Sequence, residues 1–160
     1  MESAFVSYSE RAQRAILLAQ EEARMMRAAT IHTGHLLLGL LRAGGRVAKV
    51  LERHGITLDG ARDVVRQHTR SKPKPKTVEE MARDVYEQTP FSPTANRIVL
   101  KEAAKIAESM GDEGVGTDHM LLALLQEEHG VAAKVFRSFF GDQHSARAAD
   151  VEAELAAGAR

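Results

Sequence analysis

His32 and His35 stand three residues apart, a spacing that on a helix brings two imidazoles onto adjacent turns where they could approach one metal ion. The chain has no cysteine, no carboxylate falls at a supporting spacing, and His35 recurs as His119 without a companion like His32. A structural bond near a helix N-terminus is the better reading of His35 and His119, and neither metal nor other cofactor is expected. Asp118, just before His119, is favourable charge for the first turn of a helix. The run from Arg70 to Lys76, Arg-Ser-Lys-Pro-Lys-Pro-Lys, lacks interleaved aromatics, so it reads as a solvated linker rather than a nucleic-acid contact. No Ser/His/Asp set or carboxylate pair can be singled out, and no catalytic site is expected.

These residues need elements to hold them, and composition says which. There are 25 Ala, no Trp and only 4% aromatic residues, which favours close-packed helices over sheets and predicts an all-α protein. Lys+Arg and Asp+Glu are equal at 22 each, so a strongly electrostatic partner such as nucleic acid or an anionic membrane is disfavoured. The N-terminus lacks a signal-peptide pattern and no apolar stretch approaches the roughly 20 residues needed to span a bilayer, so a cytoplasmic protein is expected.

Apolar residues at Ala12, Ala15, Ile16, Ala19, Ala23 and Met26 predict a first helix, with Ser7 and Glu10 able to form a capping box. Thr33 is the expected N-cap of a buried Leu-rich helix through Leu41. Gly44 and Gly45 break it, a short helix runs from Val47 to Arg53, and Asp59 is expected to cap another through about Gln67. After the linker, Val78 to Tyr86 reads as a short amphipathic helix.

From Phe91 the pattern repeats. Ser92-Pro93 starts a helix matching the first, and Thr117-Asp118-His119-Met120-Leu121-Leu122 lines up with Thr33-Gly34-His35-Leu36-Leu37-Leu38 at a spacing of 84. Each half has only about 60–70 residues, near the lower limit for an independent core, so the halves are expected to pack together and leave a seam between their first helices. The expected divisions are residues 5–69, a linker with a short helix over 70–90, and 91–156. Phe5, Tyr8 and Phe91 precede the two first helices, where they can act as hydrophobic staples.

The duplicated Thr-x-His-x-Leu-Leu frame, Gln20-Glu21-Glu22-Ala23, the Gly-Val-Ala-Ala-Lys-Val run from Gly130, and Phe91-Ser92-Pro93 together resemble the double Clp repeat, the N-terminal domain of ClpC/ClpA-type unfoldases. The resemblance covers about residues 5–155 and implies an eight-helix module of two tandem four-helix repeats with pseudo-twofold symmetry. In that family the domain is a docking platform for adaptors, substrates and, in actinobacterial members, cyclic peptide antibiotics. No Gly-x-x-x-x-Gly-Lys-Ser/Thr occurs here, so the chain resembles a stand-alone double Clp-repeat protein, an accessory factor or decoy with no nucleotide-binding loop. A structural subunit that stabilises the Clp protease or unfoldase assembly is the alternative. The implied partners are a Clp unfoldase or protease, adaptor or substrate peptides, and cyclic peptide antibiotics.

By the same resemblance, Phe5, Tyr8 and Phe91 would flank the seam and offer apolar surface to a peptide, with Gln13 and Asn96 facing it. ClpC-type relatives recognise phosphorylated arginine through the acid of a Gly-Thr-Glu-His motif, whose carboxylate takes the guanidinium's paired donors. The corresponding residues here are Gly34 and Asp118, so only Asp118 is a candidate for phosphoarginine.

Overall fold

The computed structural model describes residues 7–158, and all of their regular structure is helical. α1 (Glu10–Met25) presents Ala12, Ala15, Ala19 and Ala23, all fully buried, as one smooth face. Ser9 rather than Ser7 caps it, the Ser9 hydroxyl accepting from Ala12 N–H at 3.1 Å, because the Ser7 carbonyl is taken by Val115 N–H at 2.7 Å. α2 (Thr33–Ala43) buries Leu36, Leu37, Leu38 and Leu40 completely. The two helices approach so closely that a Cβ on Gly39 would lie 2.1 Å from the Ala15 carbonyl oxygen.

The N-cap of α2 is His32, not Thr33: Gly34 N–H donates to His32 Nδ1 at 3.2 Å. α3 (Gly45–Arg53) begins two residues before Val47, after Gly44 breaks the chain at φ 74°. α4 (Leu58–Gln67) is capped by Thr57, whose hydroxyl accepts from Gly60 N–H at 3.1 Å, while Asp59 sits inside the first turn. Glu22, fully buried on α1, ties these helices: Arg62 of α4 donates to it at 2.9 and 2.7 Å and Arg42 of α2 at 3.0 Å. Breaking one partner of such a buried cluster strands a charge, so it fixes the mutual placement of α1, α2 and α4.

The segment after α4 is extended and mostly exposed, yet it is stitched to the end of α1: Ser71 Oγ donates to Met26 O at 2.8 Å and Lys72 N–H to Arg27 O at 2.7 Å. α5 (Val78–Tyr86) follows, with a Thr77/Glu80 capping box and no buried residue.

The second copy opens with α6 (Pro93–Arg97), a π turn (Ile98–Glu102) and α7 (Ala103–Ser109) in unbroken succession. Its capping serine, Ser92, lies 83 positions after Ser9, whereas buried Ala103 lies 84 after buried Ala19. One extra residue therefore enters between them, and the π turn is the device by which a helix absorbs a single insertion. α8 (Thr117–Gln126), α9 (Val131–Phe140), a short 3-10 turn (Gly141–Gln143) and α10 (His144–Gly158) complete the copy, with Val151 and Leu155 of α10 fully buried.

The chain is thus all-α, two four-helix repeats with α5 inserted between them. Buried side chains from both repeats form one core, with α2 packing on α8 and α9, α4 on α9, and α1 on α8. The joint is consequently built on the central helices, not chiefly on the two first helices as expected.

The leading segments are exchanged between repeats. Residues ahead of α1 pair with the loop before α8, with Ser9 N–H donating to Val115 O at 2.9 Å. Residues ahead of α6 pair in the same way with the loop before α2, with Ser92 N–H donating to Ile31 O at 2.9 Å and Ile31 N–H to Pro90 O at 2.8 Å.

Candidate functional site

The exchange creates a cleft of about 400 Å³ where the first leading segment crosses the second repeat, lined by Tyr8, Ser9, Asp112, Val115, Asp118 and His119 among others. Gly116 N–H donates to His119 Nδ1 at 2.8 Å, which leaves the ring proton on Nε2, and Nε2 donates to Asp112 Oδ2 at 2.7 Å. His119 itself is buried. Asp118 Oδ1 accepts from His119 N–H at 3.0 Å, while its other oxygen takes no hydrogen bond among the described residues. Asp118 and Asp112 thus place two carboxylates in one partly exposed cleft, a setting for a cationic group such as a guanidinium.

Asp112 was not singled out from the sequence. Its signal is visible only in the repeat alignment, where Ala28 stands 84 positions earlier.

The matching place in the first repeat differs in chemistry. His32 N–H donates to His35 Nδ1 at 3.1 Å, so the repeated Thr-x-His frame places a ring nitrogen on the N-cap N–H of each central helix. With Ala28 where Asp112 would be, His35 Nε2 is buried without a partner. His32 stacks on His35 with centroids 3.9 Å apart and donates from Nε2 to Thr69 Oγ1 at 2.9 Å. Burial, with His68 nearby, lowers the His32 pKa to about 4, and burial beside His32 lowers that of His35 to about 3. A side chain at Gly34 would displace its neighbours, because a Cβ there would sit 2.7 Å from Val131 Cγ1 and 3.0 Å from Val65 Cγ2.

The other sequence-predicted residues fall as follows. The Tyr8 hydroxyl donates across the joint to the Val99 carbonyl, inside the π turn, and burial raises its pKa. Gln13 is exposed, and its side-chain amide donates to Tyr8 O at 2.8 Å. Phe91, the counterpart of Tyr8, is half-buried against the core, and Asn96 is exposed one turn before Val99. Tyr8, Gln13 and Val99 are therefore linked at one point of the joint, with Asn96 a turn away from Val99, and Phe91 pairs with Ile31 at the other exchange. Phe5 lies outside the described residues.

Leu17 and Leu100 were missed. They are matched residues of the two first helices and, at 64% and 60% exposed, are the most exposed large apolar side chains of those helices. Leu17 lines a second cavity of about 450 Å³ with Gln20, Arg24, Ile31, Gln88 and Thr89. No helix among the described residues is long and apolar enough to cross a membrane.

A family model described as Clp repeat (R) N-terminal domain matches residues 7–139. The chain is 38% identical over 144 residues to the chloroplastic chaperone protein ClpC1 of Oryza sativa subsp. japonica, covering 89% of this chain and 15% of that protein. It is 37% identical over 135 residues to the ClpA homologue of Guillardia theta described as an ATP-dependent Clp protease ATP-binding subunit, covering 84% of this chain and 15% of that protein. The chain therefore spans about 15% of the length of these curated relatives. Among solved structures it is similar in fold to the N-terminal domain of ClpD from Arabidopsis thaliana, with a TM-score of 0.66, 24% identity and coverage of 92% of this chain and 96% of that one. The Hsp104 N-terminal domain from Candida albicans aligns with a TM-score of 0.63 at 20% identity, covering 89% of each chain.

Proposed function

Since this chain belongs to the Clp repeat N-terminal domain family, we propose that it is a non-enzymatic module that binds peptides or proteins of a Clp proteolytic system, as an accessory factor or decoy. Adaptors, unfolding substrates and cyclic peptide antibiotics are the partners this reading assigns to it. The observation that carries it is the cleft at the exchanged leading segment, where Tyr8 stands beside the carboxylates of Asp118 and Asp112. Carboxylates beside an aromatic ring suit a guanidinium. Asp118 is the residue proposed to hold the guanidinium of a phosphorylated arginine, with Asp112 in support, and Tyr8, Gln13, Phe91 and Asn96, with Phe5, are proposed to meet the apolar part of a peptide.

Calorimetric titration of the purified protein tests this reading with two probes, a phosphoarginine peptide and a cyclic peptide antibiotic of the kind bound by actinobacterial relatives. Asp118→Asn is expected to weaken the first about tenfold, the loss of one charge-assisted contact. Phe91→Ala is expected to weaken the second by a similar factor. Absence of heat for both probes at high micromolar protein overturns the proposal.

A further inference from the structure

α5 sits on the molecule inside out. An amphipathic surface helix normally turns its apolar stripe to the core. Here Val78, Met81, Val85 and Tyr86 are 78, 51, 66 and 84% exposed, and the residue turned inward is Asp84. Asp84 accepts from Arg27 at 2.7 and 3.3 Å and lies 3.7 Å from Lys72 Nζ, and its pKa is lowered chiefly by the Arg27 hydrogen bond. Arg24 adds a bond to the Val85 carbonyl at 3.4 Å. Arg27 takes a left-handed conformation, φ 52°, where the second repeat uses Gly111, so a strained backbone is retained at the residue whose side chain clamps α5.

The clamp holds the polar side down and leaves on the order of 500 Å² of apolar-residue surface facing solvent, within the range of the largest patch on a typical monomer, which is often functional. We propose that this face is a docking surface for a second copy of the chain, with two α5 helices packing antiparallel about a twofold axis. The stripe is self-complementary in that register: Val78 of one copy meets Val85 of the other, and Met81 lies near the axis. The flanking charges match as well. Glu79 and Arg83 are one turn apart on the same flank and pair with no neighbour among the described residues.

Antiparallel packing brings like flanks together, so Glu79 of each copy lies beside Arg83 of the other. Two such faces bury at most on the order of 1,000 Å², the lower bound for a specific interface, so the dimer is weak and reversible. An anionic membrane fits less well, because Glu79, Glu80 and Glu87 surround the stripe. The proposal is independent of the function assigned to the cleft on the other repeat.

Sedimentation equilibrium of the full chain from about 10 µM to about 1 mM reads the association directly. A monomer–dimer equilibrium is expected, and V85D should abolish it while leaving the circular dichroism unchanged. E79R or R83E alone should weaken it about fivefold, since each sets like charges side by side, and the double swap E79R/R83E should restore it to within about twofold. A monomer at every concentration overturns the proposal, as does a dimer indifferent to V85D. Failure of the double swap to rescue the single ones overturns the antiparallel register.

Discussion

His32 and His35 make the fold sensitive to acid in a predictable window. Both are held neutral in the folded chain, with pKa values of about 4 and about 3, whereas in the unfolded chain each titrates near the ordinary histidine value of about 6.5. Above about pH 6.5 neither state binds these protons and their contribution to stability is complete. Below it the unfolded chain takes up protons that the folded chain refuses, so stability falls by about 1.4 kcal/mol per pH unit for each histidine until the folded values are approached. Urea midpoints measured between pH 7.5 and about 4.5 should therefore decline from about pH 6.5, well above the carboxylate range, and His35→Gln should lessen the slope while keeping an acceptor for the His32 N–H. A midpoint flat down to pH 5 contradicts the assignment. A bonding role for His35 was legible because the Thr-x-His frame recurs, but its unpartnered Nε2 was not: that depends on Ala28 standing where Asp112 stands, seven positions from the motif itself.

At the scale of the helix, the closeness of α1 and α2 rests on Gly39. A Cβ at that position meets backbone, the Ala15 carbonyl oxygen, which cannot rotate away as a side chain would. Gly39→Ala should cost about 3 kcal/mol, toward the top of the range for overpacking, and chemical denaturation would show it as a lowered midpoint. Gly55→Ala is the contrast: nothing lies within 4 Å of its Cβ, and only its φ of 89° resists, for about 1 kcal/mol. Helix positions were legible in the sequence because buried alanines and leucines keep strict helical spacing. Helix starts were less so: Ser9, His32 and Thr57 cap where Ser7, Thr33 and Asp59 were expected. A cap depends on which residue adopts extended backbone with its acceptor over the second or third N–H, and spacing narrows that only to a neighbour or two. The inverted seating of α5 was hidden for a related reason. Its periodicity reveals that one face is apolar, but which face turns inward is decided by Arg27 and Lys72, outside the helix.

Across the whole molecule, contacts that join the repeats are made by groups that a single repeat lacks. The Thr33 hydroxyl accepts from Ala132 N–H at 3.0 Å, supplying α9 with the side-chain cap that its own Gly130 cannot. Thr33→Ala should lower stability by about 1 kcal/mol, the usual worth of a cap, and should do so for both repeats in one cooperative thermal transition. Two transitions by calorimetry, only one of them shifted, would show that the repeats melt separately. The duplication itself was plain in the sequence; that its copies trade their leading segments was not, since Tyr8 with Val115 and Phe91 with Ile31 are pairings between unlike sequences far apart in the chain. That trade has a consequence for how such a protein is made. Each repeat offers its own edge to its twin, so a single repeat made alone is expected to complete its pairings only by meeting a second chain. Carrying both halves on one polypeptide replaces that encounter with a tether, which makes the pairing intramolecular.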